Sequence, residues 1–145
     1  RESKLLHYLR SNARLTLTQI ARKTRIPIST LHDRLKRYEK ELILKHTTIV
    51  DFSRLGYHTR MHLLLRIPPE QKAILTARLQ NEPHINTVTT LASSYDLFAE
   101  GIFDTIAAAQ AFVNDIEKNF SGLQCETHFV VKDIKRESFL SLQGS

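Results

Sequence analysis

The stretch "IPISTLHDRLKRYEKELIL" (residues 26–44) has one apolar side and one basic side. Leu31, Leu35, Tyr38 and Leu42 fall at offsets 0, 4, 7 and 11, the period of a single buried stripe on an α-helix. Ser29, Asp33, Lys36 and Lys40 occupy the opposite side, with Thr30, His32, Arg34 and Arg37 on the flanks. Packing against a small core explains the first side and leaves the second unexplained.

The residues before this stretch supply a context for it. Leu5, Leu6 and Leu9 predict a short first helix capped by Ser3. In "ARLTLTQIARKT" (13–24), Thr16 is placed to cap a second helix whose inner face is Leu17, Ile20, Ala21 and Thr24. The connection Arg25–Ile28 is very short, and Pro27 suits the start of the next helix. Three short helices with a tight turn between the second and third describe a helix-turn-helix. In that motif the N-terminal part of the last helix enters the major groove of double-stranded DNA. Ser29, Thr30, His32 and Asp33 are then the candidate base-reading residues, since hydroxyls serve several bases and an aspartate accepts from cytosine N4. Arg22, Lys23, Arg25, Arg34, Lys36 and Arg37 are the candidate phosphate contacts, which position a module without reading sequence.

Charge distribution agrees with that reading. Residues 1–46 hold twelve Lys/Arg against four Asp/Glu, net +8, whereas residues 47–145 hold nine against eleven, net −2. A polyanion is therefore expected at one end only. The single cysteine, Cys125, excludes an intrachain disulfide and fits a reducing cytoplasm. No apolar run approaches the roughly 18 residues of a membrane span, and no secretory leader pattern opens the chain. Seven histidines show no trusted ligand spacing, so no metal site and no cofactor is expected.

The remaining residues alternate in β fashion. "TTIVDFSRLGY" (47–57) reads as an extended connector. In "RMHLLLRI" (60–67), Met61, Leu63, Leu65 and Ile67 face one way and Arg60, His62, Leu64 and Arg66 the other. Pro68-Pro69 opens a helix to about Asn81, with Ile74, Leu75 and Leu79 as buried candidates. "HINTVTTL" (84–91) and "YDLFAEGIF" (95–103) predict strands joined by a turn at 92–94. Asp104 is expected to cap a helix carrying Ala109, Phe112, Val113, Ile116 and Phe120 inward, broken by Ser121-Gly122. "LQCETHFVVKDI" (123–134) predicts the last strand. The order βαββαβ is the ferredoxin-like split unit, giving an α+β protein. Both helices cross one face of the sheet. The other is left with Arg60, His62, Leu64 and Arg66 beside Asp96, Phe98, Glu100, Ile102, Glu126, His128 and Val130, a mixture that favours self-association. A two-fold pair would also present two reading helices to two half-sites.

Taken together, "RLTLTQIARKTRIPISTLHDRLKRYEKELIL", the connector "DFSRLGY", "SSYDLFAEGIF" and "THFVVKDIKR" resemble the Lrp/AsnC, or feast/famine, transcription regulators along essentially the whole chain. The resemblance implies an N-terminal helix-turn-helix domain (1–46), a β-hinge (47–58) and a C-terminal ferredoxin-like domain (59–145) that forms a homodimer through its sheet. It further implies assembly to tetramers or octamers and, in many members, an amino-acid effector. The corresponding effector stretch here is Ser93, Ser94, Tyr95 and Asp96, with Thr127 on the last strand; the family pattern has glycine where Ser93 stands. Arg25 and Leu42 also replace glycines of that pattern, and positive φ at such positions costs a non-glycine residue roughly 1 kcal/mol. Two alternatives remain open. A low-specificity DNA-packing protein without effector would share the basic helices. Siroheme decarboxylases have a similar two-domain plan in which His62, Arg60 and Arg66 would serve a tetrapyrrole. No nucleophile is paired with a base, however, and an enzyme is not expected.

Overall fold

The computed structural model describes residues 3–142 and divides the chain into two compact units, residues 1–49 with 134–145, and residues 50–133. In the first unit, helices α1 (Ser3–Ser11), α2 (Leu17–Thr24) and α3 (Ile28–Glu41) surround a core of Leu5, Ile20, Leu31 and Tyr38. The expected cap by the Ser3 side chain lies outside the described residues. Helix α2 begins as read: Thr16 Oγ1 accepts from the Gln19 amide at 3.1 Å, and Gln19 Oε1 accepts from the Thr16 amide at 2.8 Å. This reciprocal capping box satisfies two orphan donors of the first turn.

Two expectations about Leu42, at the C-terminal end of α3, are corrected. The helix stops at Glu41, so Leu42 is its C-cap and is 53% exposed instead of completing the buried stripe. Both the Leu42 and Ile43 amides turn back to the Tyr38 carbonyl, at 2.8 and 2.6 Å, and Ile43 packs against the core in Leu42's place. Leu42 has a negative φ, −132°, so the replacement of glycine there exacts no left-handed strain. Arg25 does: its φ of 58° and ψ of 29° are left-handed, with its amide closing α2 onto the Ala21 carbonyl at 2.8 Å.

The second unit is a four-stranded antiparallel sheet in the order β2-β3-β1-β4, with β1 (Thr59–Arg66), β2 (Ile85–Thr90), β3 (Leu97–Phe103) and β4 (Gln124–Phe129). Helices α4 (Lys72–Gln80) and α5 (Ile106–Asn119) bury Leu75, Leu79, Ala109, Phe112, Val113 and Ile116 against Met61, Leu63, Leu65, Leu97, Ala99 and Phe103. The connector, expected as an extended β-hinge, carries no strand; it is irregular apart from a 3-10 turn, Phe52–Leu55, whose Asp51 cap accepts from the Ser53 amide.

Five local readings shift. The Pro68-Pro69 segment opens as a 3-10 turn, Pro69–Gln71, before α4 begins. Leu75 and Leu79 then face the sheet, while Ile74 is turned out and 63% exposed, not buried as expected. The cap of α5 is Thr105, whose Oγ1 accepts from the Ala108 amide at 3.0 Å; Asp104 instead accepts from the Thr105 amide. Strand β4 stops at Phe129 rather than 134, although the Val130 amide still donates to the Arg60 carbonyl at 2.8 Å. Residues 134–142, assigned by sequence to the C-terminal domain, belong to the helical unit, because Arg10 and Ser11 hold the tail against α1. Gly122, at φ +79°, breaks the chain after α5, and a Cβ there would lie 2.9 Å from Pro68 Cγ.

Thr16→Ala removes one half of the capping box and is expected to lower stability by about 1 kcal/mol. Thr18→Ala, exposed on the same helix, should stay within about 0.5 kcal/mol of the parent in urea unfolding.

Candidate nucleic-acid interface

Burying Leu31 and Tyr38 fixes the rotation of α3, and that rotation decides what its outer side presents. Ser29, His32, Asp33, Lys36 and Arg37 are exposed, and Thr30 and Arg34 are half-buried on the flanks. Arg22 and Lys23 stand exposed in the last turn of α2, and Arg25 is exposed in the left-handed link between the helices. The ten candidate residues therefore come from two consecutive helices and the turn that joins them. Two cations are steadied by aromatic rings: Lys23 Nζ lies 6.0 Å from the centre of the Tyr8 ring and the Arg37 guanidinium 5.6 Å from that of Tyr38. Asp33 is exposed and makes no ion pair among the described residues. Lys40, exposed and about three turns along from Ser29 and two from Asp33, extends the basic row.

The second candidate group is less unified. Ser93 Oγ accepts from the Tyr95 amide at 3.1 Å and shapes the turn. The Ser94 carbonyl accepts from Arg66 Nε at 2.6 Å, and the Arg66 guanidinium lies 5.4 Å from the Tyr95 ring centre. One Asp96 carboxylate oxygen already accepts from the Ile67 amide at 2.9 Å, fastening the start of β3 to the end of β1. The Tyr95 hydroxyl donates to Glu126. That bond holds the Glu126 carboxyl below its ordinary range, with help from His128, and pushes the Tyr95 phenol up. Glu126 pairs with Leu64 across the sheet, whereas Thr127 pairs with Leu63 and so lies on the helix-covered face with Cys125. The structure thus joins Ser93, Ser94, Tyr95 and Asp96 in one turn and leaves Thr127 on a different face. Arg66 and Glu126, which the sequence placed only on the open sheet, are the turn's own polar partners.

The open face itself has a charged centre. His62 lies between Glu100 and His128 in register, with Nε2 at 2.8 Å from Glu100. Arg60 donates to Asp133 at 2.9 Å and stands 3.6 Å from Glu100. Burial pushes the Glu100 carboxyl up, but hydrogen bonds from Asn86 and His62, with the nearby charges of His62 and Arg60, outweigh it and hold the group below its ordinary range. Ile102, expected on this face, is already buried at 8% exposure.

These two units define a class: a helix-turn-helix protein with a ferredoxin-like second domain. Residues 1–41 match the family model for winged helix-turn-helix DNA-binding domains. The HTH-type transcriptional regulator FL11 of Pyrococcus furiosus is 27% identical over 97 residues, which cover 66% of this chain and 64% of that protein. An uncharacterised HTH-type transcriptional regulator of the same organism is 20% identical over 139 residues, covering 95% of this chain and 93% of its own. A transcriptional regulator of Neisseria meningitidis, solved in complex with L-methionine, superposes with a TM-score of 0.84 at 21% identity, over 93% of this chain and 90% of that one. LrpC of B. subtilis gives 0.84 at 18% identity, covering 92% and 94%, and AsnC of E. coli gives 0.80 at 18%, covering 93% of each. The fold is thus that of LrpC and AsnC, with a helix-turn-helix DNA-binding domain matched at residues 1–41. Its relatives are named as regulators, not as enzymes, and no helix among the described residues is long and apolar enough to cross a membrane.

Arg25→Gly separates conformational cost from contact. Glycine relieves a left-handed strain of about 1 kcal/mol, less the freedom it adds to the unfolded chain, so stability should hold or rise slightly. Affinity for duplex DNA should fall, with a salt slope shallower by about one. For Glu100, the lowered carboxyl contributes stability above its unfolded value, near 4.3, and loses it as pH falls through the folded value. Urea midpoints across pH should therefore show a shallower acid decline for Glu100→Gln than for the parent.

Proposed function

We propose that the chain is a transcriptional regulator that binds double-stranded DNA sequence-specifically as a homodimer, assembling to tetramers or octamers, with an amino acid or related small molecule tuning that assembly. The observation that carries this reading is the basic outer side of α2 and α3, where ten exposed or half-buried candidate residues come from two helices and the tight turn that joins them. Ser29, Thr30, His32 and Asp33 read base edges, and Arg22, Lys23, Arg25, Arg34, Lys36 and Arg37 hold phosphates. In this reading residues 1–46 engage DNA, 47–58 form the hinge, and the sheet domain supports association in the cytoplasm.

The assembly half of the proposal draws on the open face. Its mixed charges, Arg60, His62 and Arg66 against Glu100 and Glu126, suit a self-complementary partner. The effector class draws on the neisserial relative's complex with L-methionine and on Ser93, Ser94, Tyr95, Asp96 and Thr127. Because Thr127 lies on another face of its own chain, a pocket using both groups needs a second copy. An effector shifts assembly only by binding one assembled state more tightly than another.

Fluorescence anisotropy on a duplex from the protein's own promoter and on a shuffled duplex, each across salt, tests the reading. A regulator should prefer the promoter by ~10³-fold or more, with affinity falling by ~10³ or more between about 50 and 200 mM salt. Alanine at Arg34 or Lys36 should weaken binding to all sequences, and alanine at Ser29 or His32 should change which sequence is preferred. Steep salt dependence without preference would instead establish a DNA-packing protein, and no binding to either duplex would reject the DNA reading.

A further inference from the structure

The tail of the chain has no part in the sheet, yet it is folded with unusual definition. Among the described residues the left-handed non-glycine positions are Arg25, Glu137 and Leu140, the last two at φ 52° and 62°. Sparsely populated backbone of this kind persists where surrounding contacts over-determine it. Those contacts come from α1. Arg10 spreads its guanidinium over the turn, Nε donating to the Phe139 carbonyl at 3.0 Å and the terminal nitrogen to the Glu137 carbonyl at 2.9 Å. The same nitrogen stands 3.4 Å from the Glu137 carboxylate. Ser11 Oγ accepts from the Leu142 amide at 2.7 Å while donating to the His7 carbonyl. Within the tail, the Ser141 amide and hydroxyl both return to the Ser138 carbonyl, at 3.1 and 2.7 Å. Leu142 then lines an open pocket of about 200 Å³ with Lys4, His7, Tyr8, Lys23 and Thr24, the last two in the final turn of α2.

We infer that residues 137–142 form a clasp that holds α1 and α2 in their DNA-reading arrangement, with Arg10 as its positioning residue. The function assigned to the clasp rests on the DNA-binding reading; its existence does not. An open tail frees the last turn of α2 at Lys23 and Thr24, next to the Arg25 turn that sets α3.

Hydrogen exchange and promoter anisotropy on the full chain test the two parts separately. In the parent, amides 138–142 should exchange at least about tenfold more slowly than an unstructured segment. Arg10→Ala and Ser11→Ala should bring them to the unstructured rate and speed exchange in α1 and α2. Ser11→Ala and Leu142→Ala change no charge, so each should weaken promoter binding by about threefold to tenfold with an unaltered salt slope. Arg54→Ala, which removes an exposed cation from the connector's 3-10 turn, should leave both readouts unchanged. A parent tail exchanging at the unstructured rate overturns the clasp. Variants that release the tail at unchanged promoter affinity overturn its role in DNA reading. A parent that binds no duplex defeats the DNA reading instead, and the exchange arm alone still decides whether the tail is clasped.

Discussion

Four side chains, Leu5, Ile20, Leu31 and Tyr38, form the buried centre of the helical unit, and everything the outer side of α3 presents depends on them. A unit of roughly 60 residues buries only about 60% of the surface its unfolded chain exposes, so so small a core leaves little margin. The chain compensates at the edges of the core. Thr16 and Gln19 satisfy the first turn of α2 reciprocally, and Ile43 closes the end of α3 that Leu42 leaves open. Arg10 and Ser11 recruit the distant tail. Each is a polar or peripheral device that holds helices at fixed angles without enlarging the core. That economy suits a surface whose purpose requires most side chains of α3 to remain exposed.

The sheet unit solves the opposite problem. It has enough apolar material to bury one face completely, with Met61, Leu63 and Leu65 of the central strand at 0% exposure. The alternation that makes this possible obliges the intervening residues, Arg60, His62, Leu64 and Arg66, to share the other face. Arg60 and His62 are matched within the chain by Glu100 and Asp133, and Arg66 donates to the Ser94 carbonyl and the Gln124 amide oxygen, which blunts the desolvation cost of covering them. A face prepared in this way can be buried against an identical copy without stranding a single sign of charge, whereas an unmatched row of cations could not.

Periodicity made most of this legible. Offsets of three and four placed α2, α3 and α5, and alternation placed β1 and β3, because each pattern records which side of an element meets the core. What failed to register were events that end or rephase a pattern. The 3-10 turn after Pro68 rotates α4 so that Ile74 faces out, and no apolar count foretells that rotation. Asp104 and Thr105 are both competent caps, and the choice between them is made by where the strand releases the chain. The basic candidates on α2 and α3 were readable because they follow from the helix period alone. The turn at 93–96 was not readable in detail, since its partners Arg66 and Glu126 come from two other strands. The tail was invisible for the same reason: Arg10 and Phe139 are 129 positions apart, and nothing local in "KRESFLSL" announces an attachment to α1.

Magnitudes argue that one copy of the helical unit is not enough for the proposed function. Each good base contact discriminates by about 1–3 kcal/mol, and α3 offers four candidate base readers. Of these Thr30 is half-buried and Asp33 must approach a duplex against its phosphates. Two or three effective contacts give a few kcal/mol, near the bottom of the roughly 4–10 kcal/mol that separates specific from non-specific binding. The six candidate cations add affinity but no discrimination, since phosphates are the same everywhere. Doubling the reading helix through a two-fold pair doubles the discriminating term and also imposes a half-site spacing. On the proposed reading, specific recognition would therefore depend as much on the open face of a sheet that touches no base as on the helix that reads them.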